Sequence, residues 1–198
     1  MNRDTTYRAY NVHTANQELP VTLEQVRYHL RNEDLHFDDA LLTAYIRAAA
    51  GYVERVYGLA LLTQTIKQYH SEFPCTSNTP LLLRIAPLLS VTSIVYTDSA
   101  GVSQTWTAAE YTSGRLDLGG FIVPAIGYSW PGSVASLPNA VTVTYQAGFG
   151  AKPSTLPAAI TQAILYMVAD MYQRREDSVV SLPKASEYFL MPWYRWAA

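Results

Sequence analysis

Helical and strand-like periods of apolar residues divide this sequence into three parts. In VTLEQV, Thr22 and Gln25 have the spacing of a capping box and Val21 is placed to pack on Val26 as a hydrophobic staple, which predicts a short helix to about Leu30. After the loop RNEDLHF, Asp38 stands as a good N-cap, with Phe37 and Leu42 as a second staple. Leu42, Ile46, Ala49, Val53 and Val56 then form one apolar stripe at helical spacing, and Gly58 stops it. From about Leu61 the pattern becomes alternating or continuous β-type runs: LLTQTIKQYH, PLLLRIA, VTSIVYT, VSQTWTA, GFIVPA and AVTVTYQA, separated by Pro, Gly, Ser and Asn clusters. VTSIVYT and VSQTWTA, joined around Asp98, Ser99, Ala100 and Gly101, read as a hairpin. The segment GFGAKPSTLP ends the β pattern, and a long helix is expected from near Pro157 through AAITQAILYMVADMYQRRE. Leu156, Ile160, Ile164, Met167 and Met171 make its main stripe. Leu165, Tyr166 and Val168 leave few polar positions opposite, so this helix is expected to be buried on more than one side.

The predicted fold class is α+β: a small helical bundle, two N-terminal helices plus the long C-terminal one, with an inserted antiparallel β unit. Residues 1–19 are polar and aperiodic and are expected to be a flexible N-terminal arm. The bundle is assigned to 20–60 and 151–182, the inserted β-rich unit to 61–150, and a C-terminal tail to 183–198.

Composition adds that much of this surface is meant to be covered. Charged residues are only 15% of the 198, against roughly 25% in an ordinary globular domain, and there are fifteen tyrosines. Fourteen Lys and Arg against sixteen Asp and Glu give a net charge of −2, with no basic run to neutralise a series of phosphates, so tight sequence-independent nucleic-acid binding is not expected. A single cysteine, Cys75, excludes an internal disulfide and fits a reducing compartment. No signal-peptide core and no stretch near the roughly 20 apolar residues of a membrane span occur, which predicts a soluble protein made in a cytoplasm, with no membrane partner.

The search for chemistry yields little. NEDLHFDD, residues 32–39, gathers Glu33, Asp34, His36, Asp38 and Asp39, but its spacing matches no EF-hand loop and His36 has no second imidazole beside it, so helix capping is the favoured role. The histidines, at 13, 29, 36 and 70, are scattered, and neither a nucleophile elbow nor a cysteine–histidine context surrounds any nucleophile. GFGAKPST fails the P-loop spacing, and Pro153 removes an amide donor, so a tight turn is expected there. Arg174 and Arg175 suit a helix C-terminus next to Glu176 and Asp177 better than a nucleic-acid face. Tyr96, Trp106, Tyr128 and Trp130 are weighed as a glycan-stacking platform and favoured as packing. No catalytic residue, metal ligand or cofactor is assigned. A ligand- or glycan-binding module, and more remotely an enzyme of unfamiliar chemistry, stay open as alternatives to a structural role in an assembly.

Taken in order, VTLEQVRYHLR, DDALLTAYIRAAAGYVERVYGLALLTQT, PLLSVTSIVYTDSAG, GRLDL, the block from SWP to NAVTVTYQAGFG, and LPAAITQAILYMVADMYQRRE resemble the phage head-tail connector proteins, also called adaptor or head-completion proteins, of the group with a β insertion in a small helical bundle. The resemblance covers roughly residues 20–196. It implies a homo-oligomeric ring, commonly of twelve subunits, in the neck of a virion. Such a ring is attached to the portal protein and offers its far side to a stopper or tail protein, while packaged DNA passes through the channel without sequence-specific binding. It implies assembly in the host cytoplasm and no enzymatic activity. A ring of weakly acidic subunits would let DNA slide.

The same resemblance implies that the C-terminal segment docks on the portal. In EYFLMPWYRW the docking residues are then Tyr188, Phe189, Leu190, Met191, Trp193, Tyr194, Arg195 and Trp196, with Pro192 ending a short helical turn and leaving the last four extended. Trp, Tyr and Arg dominate interface hot spots. The alternative is that Tyr188, Phe189 and Leu190 fold back over the subunit's own helices.

Overall fold

A computed structural model describes residues 7–31, 38–116, 119–174 and 183–194. The described residues form two compact units, one within residues 7–15 and 63–148, the other within residues 16–62 and 149–194. The class is α+β, with four α-helices and two antiparallel sheets among the described residues.

The first unit contains all the strands. Its larger sheet has the order β1 (Tyr7–Thr14), β2 (Gln64–His70), β8 (Val141–Ala147), β4 (Leu88–Thr97), β5 (Ser103–Trp106). The smaller has the order β3 (Leu81–Leu83), β7 (Gly119–Pro124), β6 (Tyr111–Leu116). Alternation decides which side chains enter the core: Val141, Val143, Tyr145 and Ala147 of β8 are buried, each two residues from the next. At Gly120 the backbone of β7 lies so close to Leu88 that a Cβ would come within 2.6 Å of its Cδ2. At Gly114 of β6 the ring of Phe121 occupies the corresponding space.

The hairpin expected at residues 98–101 is present between β4 and β5. Asp98 organises it: its Oδ1 accepts from the N–H groups of Ala100 and Val102, both at 2.9 Å, and its Oδ2 from Gln104 Nε2 at 2.9 Å. The Gln104 side-chain bond, followed by the bond from Val102, holds the Asp98 carboxyl below the ordinary aspartate range.

Three features differ from the sequence reading. The N-terminal segment read as part of a flexible arm contains β1, which pairs with β2 with Val12 opposite Ile66 and Tyr10 opposite Gln68. The β part is therefore built from both sides of the first two helices rather than from one insertion. YTSGRL forms β6 although its pattern carries no apolar alternation. On β2 the buried face is Gln64, Ile66, Gln68 and His70, so three of the four core positions are polar.

Gln68 explains how this is tolerated. Its Nε2 donates to the Leu82 carbonyl at 2.7 Å and lies 2.9 Å from His70 Nε2, while its Oε1 accepts from Arg84 N–H at 2.9 Å and from the Tyr145 hydroxyl at 3.2 Å. The Tyr145 hydroxyl in turn accepts from Ile85 N–H at 3.2 Å. One side-chain amide thus meets a carbonyl and an N–H two residues apart, the spacing that a neighbouring strand would offer, and closes the outer edge of β3.

The second unit is helical: α1 (Leu23–Leu30), α2 (Asp39–Tyr57), α3 (Ala158–Gln173) and α4 (Lys184–Leu190), the last followed by a 3-10 turn at Met191–Trp193. The capping box of α1 is formed, with Thr22 Oγ1 accepting from Gln25 N–H and Gln25 Oε1 from Thr22 N–H. Val21 and Val26 are buried, and Gly58 ends α2 at φ 65°. Asp38 occupies the N-cap position of α2 but makes no capping bond; its carboxylate accepts instead from the Tyr172 hydroxyl at 2.7 Å, tying α2 to α3. Asp39 pairs with Arg27 and ties α2 to α1. In α3, Ile160, Ile164, Leu165, Met167 and Val168 are buried, so the helix is covered on several sides, as expected.

Candidate functional site

The tail residues are brought together on the helical unit, and only part of the set faces outward. Pro183 opens α4, whose Ser186 and Leu190, four residues apart, share one buried face. The Ser186 hydroxyl donates to the Ala163 carbonyl of α3 at 3.1 Å. Phe189 stacks on Tyr166 with ring centroids 6.1 Å apart, and Tyr166 meets His29 of α1 edge-on at 5.3 Å. Trp193 meets Phe149 edge-on at 5.2 Å, and Tyr194 meets Tyr57 at 6.1 Å. Trp193 Nε1 is buried with no hydrogen-bond partner among the described residues.

Leu190, named from the sequence as a docking residue, is therefore a core residue of its own subunit, with no exposed surface. Phe189 and Trp193 are half-buried against α3 and the segment before it. Tyr188, Met191 and Tyr194 remain as the outward group, at 74%, 70% and 49% exposure. Arg195 and Trp196 lie outside the described residues. Beneath the tail, Tyr57 is packed in with Tyr52, Glu187 and Tyr194, and burial first, then these neighbours, pushes its hydroxyl above the ordinary tyrosine range.

Two further surface features of this unit were not read from the sequence. Tyr28 of α1 is 82% exposed beside a groove lined by Gln25, His29, Arg31, Thr161, Gln162 and Leu165. A small apolar cleft of about 210 Å³ lies between α2 and α3, lined by Ala48, Ala49, Tyr52, Met167, Asp170, Met171 and Pro183. The signal available for the first was an aromatic residue two positions from the only buried residue of α1, Val26, hence on another face.

The remaining candidates resolve into structural roles. Glu33, Asp34 and His36 lie outside the described residues, while Asp38 and Asp39 tie α2 to α3 and to α1. Among the described residues no group of three or more His, Cys, Asp or Glu side chains gathers, and no helix is long and apolar enough to cross a membrane. In GFGAKPST, Pro153–Thr155 form a 3-10 turn, and Thr155 Oγ1 donates to the Lys152 carbonyl at 2.6 Å. Arg174 pairs with Asp170 one turn back at 3.1 Å; Arg175, Glu176 and Asp177 lie outside the described residues.

In the β unit, Trp106 and Trp130 are buried against each other and against Phe73, with centroids 5.2 to 5.6 Å apart. Tyr96 meets Phe73 edge-on at 5.7 Å, so of the four rings weighed for glycan stacking only Tyr128 is largely exposed. Burial also raises the Tyr111 hydroxyl, which belongs to a ring tilted against Trp106.

The chain has a two-unit fold with a packed aromatic β core and an aromatic tail ordered on the helical unit, and comparison with known proteins supports a structural protein of a phage-like virion neck. No protein-family model matches the sequence, and no curated protein does. Among solved structures the chain is similar to one from the virion of a native gene transfer agent particle, at 26% identity and a TM-score of 0.80, over 96% of this chain and 97% of that one. It is similar over the same shares, again at 26% identity, to chains from the neck of the empty particle computed with six-fold symmetry and the neck of the native particle computed with twelve-fold symmetry, at TM-scores of 0.79 and 0.77.

Proposed function

We propose that this chain is a head-tail connector of a phage-like particle: a neck protein that forms a homo-oligomeric ring, of twelve subunits, joins the portal to a stopper or tail protein, and leaves a channel for DNA. The observation that carries this reading is the near full-length likeness to neck chains of the gene transfer agent particle, at 26% identity. The low charge and abundant tyrosine support it, since interface cores are depleted in charge and enriched in aromatic residues. So does the tail, which offers Tyr188, Met191 and Tyr194 on an anchored helix and turn. Portal docking is assigned to these three, with Phe189 and Trp193 holding them in place. The ring would be assembled in the host cytoplasm and reside in the virion neck.

The test is co-purification of the full chain with the portal protein of the same particle, beside a triple variant Tyr188→Ser, Met191→Ser, Tyr194→Ser. Substituting exposed side chains avoids the loss of Leu190 that truncation would bring. Portal binding by the parent and loss of binding by a folded variant is the expected result. Equal binding by both refutes the tail assignment, and absence of binding by the parent refutes the connector reading.

A further inference from the structure

The groove beside Tyr28 and the cleft beside Tyr52 lie on opposite sides of the same helix. Thr161, Gln162 and Leu165 of α3 line the first, and Met167, Asp170 and Met171 the second. At 3.6 residues per turn the two sets point about 170° apart. Their chemistry is matched rather than alike. One side presents a protruding tyrosine and, at the end of α1, the exposed Arg31; the other presents an apolar recess with one carboxylate, Asp170, at its edge. Asp170 holds Arg174 through Oδ1 and keeps a second oxygen. The recess, at about 210 Å³, is below the roughly 300–1,000 Å³ of cofactor or ligand pockets and suits a side chain. Beside it the outer face of α2 carries Ala44, Ala48 and Gly51, all exposed, with no atom of the described residues within 4 Å of where a Gly51 Cβ would stand, so another backbone can come close.

We propose that the occupant of the cleft is a second copy of this chain, which inserts Tyr28 between α2 and α3 of its neighbour and sets Arg31 against Asp170. Two different, complementary faces on opposite sides of one helix make a head-to-tail contact, and such contacts close into rings when the rotation per step allows. Similar chains come from necks computed with six-fold and twelve-fold symmetry, where identical neighbours stand side by side. This interface rests on the ring reading proposed for the chain and gives it a specific joint. A buried tyrosine at the centre, ringed by alanine and methionine, is the kind of contact that carries most of an interface's energy.

The experiment uses the full chain with Cys75→Ser, its assembly followed by native mass spectrometry and by electron microscopy, alone and with the portal protein. Tyr28→Ala and Arg31→Glu are each expected to raise the concentration for half-assembly by about tenfold or more, with an unchanged circular dichroism spectrum. Pairing Tyr28→Cys with Ala48→Cys in one chain is expected to give a disulfide ladder of dimers, trimers and higher species, whereas Ala48→Cys alone gives none. If the parent forms rings, both substituted variants assemble as it does and the double-cysteine chain gives no ladder, this joint is wrong and the ring reading stands. If the parent forms no ring under either condition, both are wrong.

Discussion

Replacing Gln68 by Leu should unfold the β unit more readily than any exposed substitution of the same kind. The side chain is fully buried and holds two backbone groups, the Leu82 carbonyl and the Arg84 N–H, together with the Tyr145 hydroxyl and a His70 ring nitrogen. Leucine nearly preserves the volume and removes all of these bonds. Each buried polar group deprived of its bond costs about 1–3 kcal/mol, so losing the two backbone contacts alone comes to about 2–6 kcal/mol, from which better apolar burial returns about 1–2 kcal/mol. The net expectation is a loss of about 3 kcal/mol, against about 0.5 kcal/mol or less for an ordinary surface exchange. Urea unfolding followed by near-ultraviolet circular dichroism, which reports the packed Trp106 and Trp130, measures it. A Gln68→Glu variant separates shape from bonding: its carboxylate still accepts from Arg84 N–H but cannot donate to the Leu82 carbonyl, so it should be destabilised at neutral pH and recover in part on acidification. If Gln68→Leu unfolds within 0.5 kcal/mol of the parent, the amide does not hold β3 in place and the reasoning fails.

Other consequences are open to direct measurement. Because the folded pKa of Asp98 is depressed, its contribution to the hairpin is present above the unfolded aspartate range and is lost as pH falls through the folded value; amide exchange at Val102 should quicken below that point, and Asp98→Asn should flatten the dependence. For Tyr57 the folded pKa is raised, so its contribution is complete below the unfolded tyrosine pKa and disappears as pH rises through the folded one; ultraviolet titration should show Tyr57 and Tyr111 ionising after the exposed tyrosines, and Tyr57→Phe should remove one of these late ionisations. Leu190→Ala should cost about 2–5 kcal/mol in denaturant unfolding of the helical unit, whereas Tyr188→Ala should stay within about 0.5 kcal/mol; equal effects would contradict the inward and outward division of α4.

What the sequence made legible was whatever burial had written into it. The capping box of α1, the stop at Gly58 and the stripe of α2 from Leu42 to Val53 were readable because each places a recognisable residue type where the backbone or the core demands one, but the last expected member of that stripe, Val56, is exposed and Tyr57 is buried instead. β1 was not, because the side chains of Ala9 through Thr14 are exposed on both faces and no alternation is imposed on them. β6 escaped for the same reason, since most of its side chains face solvent. The buried face of β2 was hidden by its composition: Gln64, Gln68 and His70 are polar, and only the distant Leu82, Arg84 and Tyr145 reveal why they are inside. For the tail, the aromatic content was visible and its direction was not. The four-residue spacing of Ser186 and Leu190 was the available clue that one side of it belongs to the subunit itself.

The inward half of α4 also governs how fast and how cleanly anything meets its outward half. With Leu190 seated, Ser186 bonded to α3 and Phe189 stacked on Tyr166, the helix is ordered before any encounter. A partner that engages Tyr188, Met191 and Tyr194 then meets a rigid patch and is spared the ordering entropy that a loose peptide would lose on binding. With a partner surface that is itself preformed, association runs at about 10⁵–10⁷ M⁻¹s⁻¹, and affinity is expressed in the lifetime of the complex rather than in the rate of capture.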